Sequence, residues 1–159
     1  FKPDKKKEDF SVKNACNKCI GLICSTYDAM GIKLHKDYQD DYIACGYPRE
    51  FSQVILNLLL NAKDIFEERK TQNPQVFLEL KKEKDNIILI IKDNAGGINL
   101  ENIDVIFEPY FSTKQSSKAS GMGLYMSKMI IEDNMHGSLS ANNTEKGAQF
   151  AIKFALNQE

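Results

Sequence analysis

Residues 51–66 read FSQVILNLLLNAKDIF, an apolar segment interrupted by Asn57, Asn61 and Asp64. With residues about 100° apart around a helix, Phe51, Val54, Ile55, Leu58, Ala62, Ile65 and Phe66 gather on one face. Such a face packs on a sheet. The three polar residues cluster at its border, where the helix would meet a cleft. An amide buried without a partner costs roughly 1–3 kcal/mol, so the stripe needs something to bond. Amides offer donors and acceptors, and hard cations such as Mg²⁺ take oxygen ligands. The stripe therefore suits Mg²⁺ and the phosphates it bridges, or else it caps neighbouring backbone or faces water. Pro48 fits the first turn of this helix, which is predicted over 48–70.

Downstream, QVFLELKKE and NIILIIKD flank a turn around Lys84–Asn86 and read as a hairpin. NIILIIKD is almost all apolar, which predicts a central strand buried on both faces. Upstream, FSV (10–12) reads as a short strand and 12–30 as a helix with apolar positions Ala15, Cys19, Leu22, Ile23 and Met30. Gly31 suits its C-terminal cap. IKLHKDY (32–38) and YIACGY (42–47) read as strands. Residues 94–120 read as a long loop, a length usually tied to function. A helix over 121–134 and two strands, SLSANN and AQFAIKFAL, follow, joined by a turn at Gly147. The mix predicts an α+β fold: a two-layer sandwich, with a mixed, mostly antiparallel sheet and about three helices on one face.

Two glycine clusters stand out. In IIKDNAGGI, Asp93 ends a buried strand before a sharp turn through Ala95, Gly96 and Gly97. A carboxylate there can accept a hydrogen bond from an exocyclic amine, and glycines let a flat ring lie against backbone. The same letters also make a good turn. SGMGL (120–124) opens a helix, where backbone N–H groups and the helix dipole favour an anion; Ser120 as a simple cap is the other reading. Lys114 and Lys118 lie just upstream. There is no GxxxxGK[ST] and no GxGxxG after a strand, so neither a P-loop nor a dinucleotide fold is supported.

The chain has 159 residues, 42% hydrophobic and 27% charged, with a net charge of -1. That suits one soluble domain and predicts no nucleic-acid partner. No apolar run is long enough to cross a bilayer. Cys16, Cys19, Cys24 and Cys45 include one CxxC without a second pair, which reads as small buried hydrophobes rather than a metal site. The chain begins at Phe1 without Met or a signal-like segment, which predicts a piece of a longer protein.

Taken in order, NLLLNAKD, DNAGGI, IFEPYFSTK, SGMGL and GAQF resemble one family over roughly residues 10–156. It is the catalytic ATP-binding domain of sensor histidine kinases, within the superfamily shared with DNA gyrase, heat-shock chaperones and mismatch-repair ATPases. The aromatic box IFEPYFSTK is the phrase that sets histidine kinases apart. The resemblance implies ATP and Mg²⁺ as cofactors, a long ATP lid at about 98–120, and residues 1–9 as a linker before a catalytic domain at 10–159. It implies Asn57 as a ligand of Mg²⁺ and Asn61 on the phosphates or the metal, with Asp64 near the nucleotide. Asp93 would hold the adenine amine, and Gly97 and Ile98 would let the base approach. Phe107 and Phe111 would anchor the lid. Lys114 would neutralise phosphate charge, and Gly121, Met122, Gly123 and Leu124 would offer backbone N–H groups. Asn57, Asn61 and Lys114 would carry the catalytic load. Gly147 and Phe150 read as mainly structural. Ala95 and Ala148 depart from the family, which usually has glycine and threonine there.

The resemblance further implies transfer of the γ-phosphoryl to a histidine on a separate dimerisation domain, then to a cognate response regulator. The parent would be a homodimer, its catalytic domain cytoplasmic, with an anchor in the inner membrane as one arrangement. His35 and His136 read as structural or surface residues, so the chain alone is not expected to phosphorylate itself. Two other readings stay open: another ATPase or serine kinase on this fold, or a degenerate interaction module.

Overall fold

The computed structural model describes residues 6–109, 111 and 123–156. The main sheet has five strands: β2 (Lys33–Tyr38), β4 (Gln75–Glu83), β5 (Asn86–Asp93), β6 (Ser138–Asn143) and β7 (Ala148–Ala155). Their spatial order is β2-β4-β5-β7-β6, and only the β2–β4 pair is parallel. Two short strands, β1 (Glu8–Ser11) and β3 (Ile43–Gly46), pair in a separate ribbon. Three helices, α1 (Val12–Ala29), α2 (Pro48–Arg69) and α3 (Gly123–Met129), complete the α+β sandwich. The expected element order and fold class hold.

Local chemistry sets these boundaries. Ser11 accepts the Asn14 N–H at 3.0 Å and starts α1. Gly31, at φ 70°, ends it by a left-handed turn. Pro48 opens α2, and Lys70, at φ 51°, closes it. Three features differ from the expectation. Glu8 and Asp9, assigned to a linker, pair with Gly46 and Cys45 in β1. The loop after β5 contains a 3₁₀ helix, Ile103–Phe107, because the Asn102 side chain caps the Asp104 N–H. The helix predicted to run to residue 134 widens after α3 into a π turn, Ile130–Asn134. Asn134 there donates to the buried Glu50 at 2.8 Å, a bond that holds this turn on α2.

One face of the sheet meets the helices. Leu78, Leu80, Ile87, Leu89, Ile91 and Ile152 are buried there, against Val54, Ile55, Leu58, Leu59 and Phe66 of α2. Leu59 is fully buried, whereas Ile65, expected in its place, is only partly so. β5 is central, and Ile87–Ile91 are all buried. Among the described residues no helix covers its second face. Ile88 and Ile90 are shielded by cross-strand neighbours such as Lys81, Glu79 and Lys153, whose stems cover apolar surface.

Helix α1 turns the expected Ala15, Cys19 and Ile23 inward, but not Leu22. Val12, Cys16, Cys19, Ile23 and Tyr27 are buried, and Leu22 is 63% exposed. Tyr27 decides the rotation: its hydroxyl donates to the Leu59 carbonyl at 2.7 Å, so the ring can be buried with its polar tip satisfied. The cysteines split accordingly. Cys16 and Cys19 are buried, as expected, but Cys24 and Cys45 are exposed. Burial pushes the Cys16 thiol up to about 12, with Cys19 and Asp41 adding to the effect. A neutral buried thiol is a poor nucleophile. Iodoacetamide at neutral pH should therefore label Cys24 and Cys45 in the native protein, and Cys16 and Cys19 only in denaturant. Mass spectrometry showing four labels on native protein would contradict this packing.

Candidate functional site

The loop that follows β5 is built from Asp93 outward. The Asp93 carboxylate accepts the Ala95 N–H at 2.9 Å and the Ala148 N–H at 3.2 Å, both on Oδ1. One oxygen thus fixes the local turn and ties β5 to the start of β7. Oδ2 takes no part in these two bonds. Ala95 has no positive φ, so the alanine standing at a family glycine position is unstrained. Gly96 and Gly97 do need their glycines, at φ 99° and 87°. Gly97 is also pressed against Asn143, whose Oδ1 lies 2.9 Å from where a Cβ would stand. Beneath the loop, burial pushes the Tyr27 hydroxyl well above the usual tyrosine range, and the nearby Asp93 charge adds to this.

The amide stripe lies on α2 as read. Asn57, Asn61 and Asp64 are all half-buried at the border of its packed face. Asn57 donates from Nδ2 to the Ser127 hydroxyl at 3.2 Å. Ser127 is one turn beyond Gly123, so both face Asn57. A side chain at Gly123 would collide with the Asn57 amide, 2.7 Å from Oδ1. The second glycine of SGMGL therefore makes room for Asn57, a reason additional to any exposed N–H. Asp64 pairs with Lys63 at 3.1 Å.

Phe107 is buried, with the Phe150 ring edge-on at 6.3 Å and the Lys128 ammonium 4.9 Å from its centre. Lys128 also donates to the Leu139 carbonyl at 3.0 Å and pairs with Glu132 at 2.9 Å. Phe150 thus supports the aromatic box directly. Phe111 and Leu124 pack at the edge of the same core, and Ile98 begins the segment leading to the 3₁₀ helix. Lys114, Gly121 and Met122 lie outside the described residues.

Helix α2 is the common wall. It reaches α3 through Asn57 and the Asp93 loop through Arg69, which donates to the Ala95 and Gly97 carbonyls, both at 2.7 Å. Sequence reasoning missed Arg69, Ser127, Lys128, Tyr27 and Asn143. Only Ser127 left a signal, its four-residue spacing from Gly123. A separate cleft between the 3₁₀ helix and α3 has Asp104, Glu108, Glu132 and Asp133 in its lining against Lys128, the wrong balance of charge for a triphosphate. His35 lies on β2, stacked on Phe77 at 4.7 Å, and His136 is an exposed turn residue at φ 56°. Among the described residues no cluster of His, Cys, Asp and Glu suits a metal ion, and no helix is long and apolar enough to cross a membrane.

Comparison with known proteins agrees with the fold. Residues 46–158 match the family model described as histidine kinase-, DNA gyrase B-, and HSP90-like ATPase. The two-component sensor PprA of Pseudomonas aeruginosa is 37% identical over 117 residues, which are 70% of this chain and 12% of PprA. The chain thus spans a small part of that relative. The catalytic domain of histidine kinase ThkA, in a nucleotide-free form, superimposes with a TM-score of 0.84 at 22% identity, covering 96% of this chain and 97% of that one. Histidine kinase ThkA in complex with the response regulator TrrA gives a TM-score of 0.78 at 21% identity, covering 95% of this chain and 42% of that one. The chain belongs to the histidine kinase-, DNA gyrase B- and HSP90-like ATPase family, as a catalytic domain of the two-component sensor histidine kinase type.

Proposed function

We propose that this domain binds Mg-ATP along α2, between the Asp93 loop and the start of α3, and donates the γ-phosphoryl to a histidine on a separate dimerisation domain. The observation that carries this reading is the double role of α2, which reaches both the Asp93 loop and α3 through side-chain hydrogen bonds. Phosphoryl transfer asks a protein mainly for positioning and charge neutralisation. The site has those means and needs no side-chain nucleophile.

In this reading Asp93 accepts from the adenine amine through Oδ2, because its Oδ1 already serves two backbone N–H groups. Gly97 and Ile98 form the surface the ring lies on. The donor set fits Mg²⁺: Asn57 gives its Nδ2 to Ser127, and its amide oxygen is of the kind hard cations take. Asn57 would hold the ion, and Asn61, with Asp64 beside it, would face the phosphates. The ion would supply charge neutralisation. Gly123 and Leu124 would offer N–H groups, and Gly121, Met122 and Lys114 are assigned the same task from the resemblance. Phe107, fixed by Phe150 and Lys128, would be the rigid base on which the lid turns.

The partners follow from the same reading. They are a histidine-bearing dimerisation domain of the parent protein, itself a homodimer, and a cognate response regulator. A domain that consumes ATP works in the cytoplasm, and an inner-membrane anchor of the parent is part of the proposal.

The test is reconstitution. The isolated chain should bind a non-hydrolysable ATP analogue with Mg²⁺ by calorimetry and form no phosphohistidine when given ATP. Adding the histidine-bearing domain of the parent should yield acid-labile phosphate on that domain. Binding without transfer would favour another ATPase or a serine kinase. Absence of binding would favour a degenerate module.

A further inference from the structure

Two side chains from different elements, α2 and β6, grip the loop after β5. Arg69, in the last turn of α2, donates from Nη1 to the carbonyls of Ala95 and Gly97, each at 2.7 Å. Asn143, the last residue of β6, accepts the Ile98 N–H at 2.7 Å and donates to the Ile98 carbonyl at 2.9 Å. It pairs with Ile98 as a neighbouring strand would.

These bonds interlock. The Ala95 carbonyl and the Gly96 N–H belong to one peptide plane. Arg69 holds its oxygen, and the Lys146 carbonyl holds its N–H at 3.0 Å. The Gly97 carbonyl and the Ile98 N–H belong to a second plane. Arg69 holds that oxygen and Asn143 that N–H. Both planes are fixed at both ends, and the glycines with positive φ sit beside them. Two adjacent glycines would otherwise leave this turn many conformations. The start of the loop is pinned as well: Asn94 accepts the Gln75 N–H at 2.8 Å and donates to the Asn73 carbonyl at 3.0 Å.

We propose that Arg69 and Asn143 are positioning residues for recognition of the base. Together they preset the 95–98 backbone, and so the relation between the Asp93 carboxylate and the Gly97 surface, before a nucleotide arrives. The inference rests on the nucleotide reading above. Neither residue touches the ligand in this account. Both are exposed, so their removal costs the core little, while the ordering of the loop becomes a cost of binding.

The test uses Arg69→Met, which keeps the length and helix propensity but removes the donors, together with Asn143→Ala, the double variant and Arg69→Lys. Calorimetry with Mg²⁺ and non-hydrolysable analogues of ATP and GTP reads affinity and base preference. Each single variant should weaken the adenine analogue by about tenfold, the scale of one residue's lost ordering. The preference for adenine over guanine should narrow, and the melting temperature should hold. The double variant should lose less than the product of the singles, because both act on one loop. Lysine at 69 should restore part of the loss. Wild-type affinity and preference in both single variants, or losses that only track melting temperature, would overturn the proposal. Amide hydrogen exchange on ligand-free protein gives a separate readout. The Gly96 and Ile98 amides should exchange faster in Arg69→Met and Asn143→Ala, and unchanged rates would refute the clamp. If wild type binds neither analogue, the nucleotide reading fails, and exchange still decides whether the clamp exists.

Discussion

Asp93→Asn should weaken binding of an adenine nucleotide by roughly 10- to 150-fold, the worth of a hydrogen bond to a charged acceptor, about 1.5–3 kcal/mol. The direction follows from which atom is already used. Oδ1 of Asp93 accepts the N–H groups of Ala95 and Ala148. In the variant the amide oxygen must keep that place, since an NH₂ there would face two donors. The amide nitrogen is thereby forced to where Oδ2 was. It would then point a donor at the adenine amine, which is itself a donor. Guanine carries a carbonyl at the corresponding ring position, so the same nitrogen would suit it. We expect the preference for adenine over guanine to shrink or reverse. The fold should survive, because both backbone bonds are kept, and circular dichroism with thermal melting checks this. An adenine affinity equal to wild type in a folded variant would remove Asp93 from the base site.

What could be read from the chain divides by range. The stripe on α2 was legible because helical geometry alone places Asn57, Asn61 and Asp64 together. The signals at Gly31 and Pro48 are equally local. Arg69 acts on carbonyls 26 and 28 residues away, and backbone carbonyls carry no side-chain identity to search for. Asn143 reads only as the polar end of a strand, and its partner Ile98 is 45 residues distant. On α1 the residue left out of the inward face was Tyr27. An aromatic ring with a hydroxyl can face in or out, and the Leu59 carbonyl settles it. That choice rotates Leu22 and Cys24 outward. The apolar run of β5 was placed correctly in the centre of the sheet. Its second face, however, is covered by lysine and glutamate stems from adjacent strands, which no run of letters in β5 itself could show.

Gly147 illustrates the same limit and yields the second large effect. Its sequence context, TEKGAQF, suggests a turn glycine chosen for backbone freedom, yet its φ is not positive. The structure gives a different reason. A Cβ at Gly147 would stand 2.1 Å from the Asp93 carbonyl oxygen and 2.6 Å from its Oδ1. Both atoms are held in the sheet and the loop, so neither can yield cheaply. Gly147→Ala should push the ends of β5 and β7 apart. That strains the Ala148 bond to Asp93 and the Lys146 bond to Gly96. Overpacking of this kind costs about 1–3 kcal/mol, or a melting temperature lower by roughly 2–12 °C for a chain of this size. Nucleotide affinity should fall further than stability, because the displaced group is the Asp93 carboxylate itself. The control is Gly21→Ala, on the exposed side of α1, where a Cβ meets nothing within 4 Å. Alanine is the better helix former by about 1 kcal/mol, so that variant should melt at or above the wild-type temperature and bind normally. A Gly147→Ala protein with unchanged melting and binding would show that the approach of β7 to Asp93 is looser than described. The account of how Asp93 is aimed would then have to be abandoned.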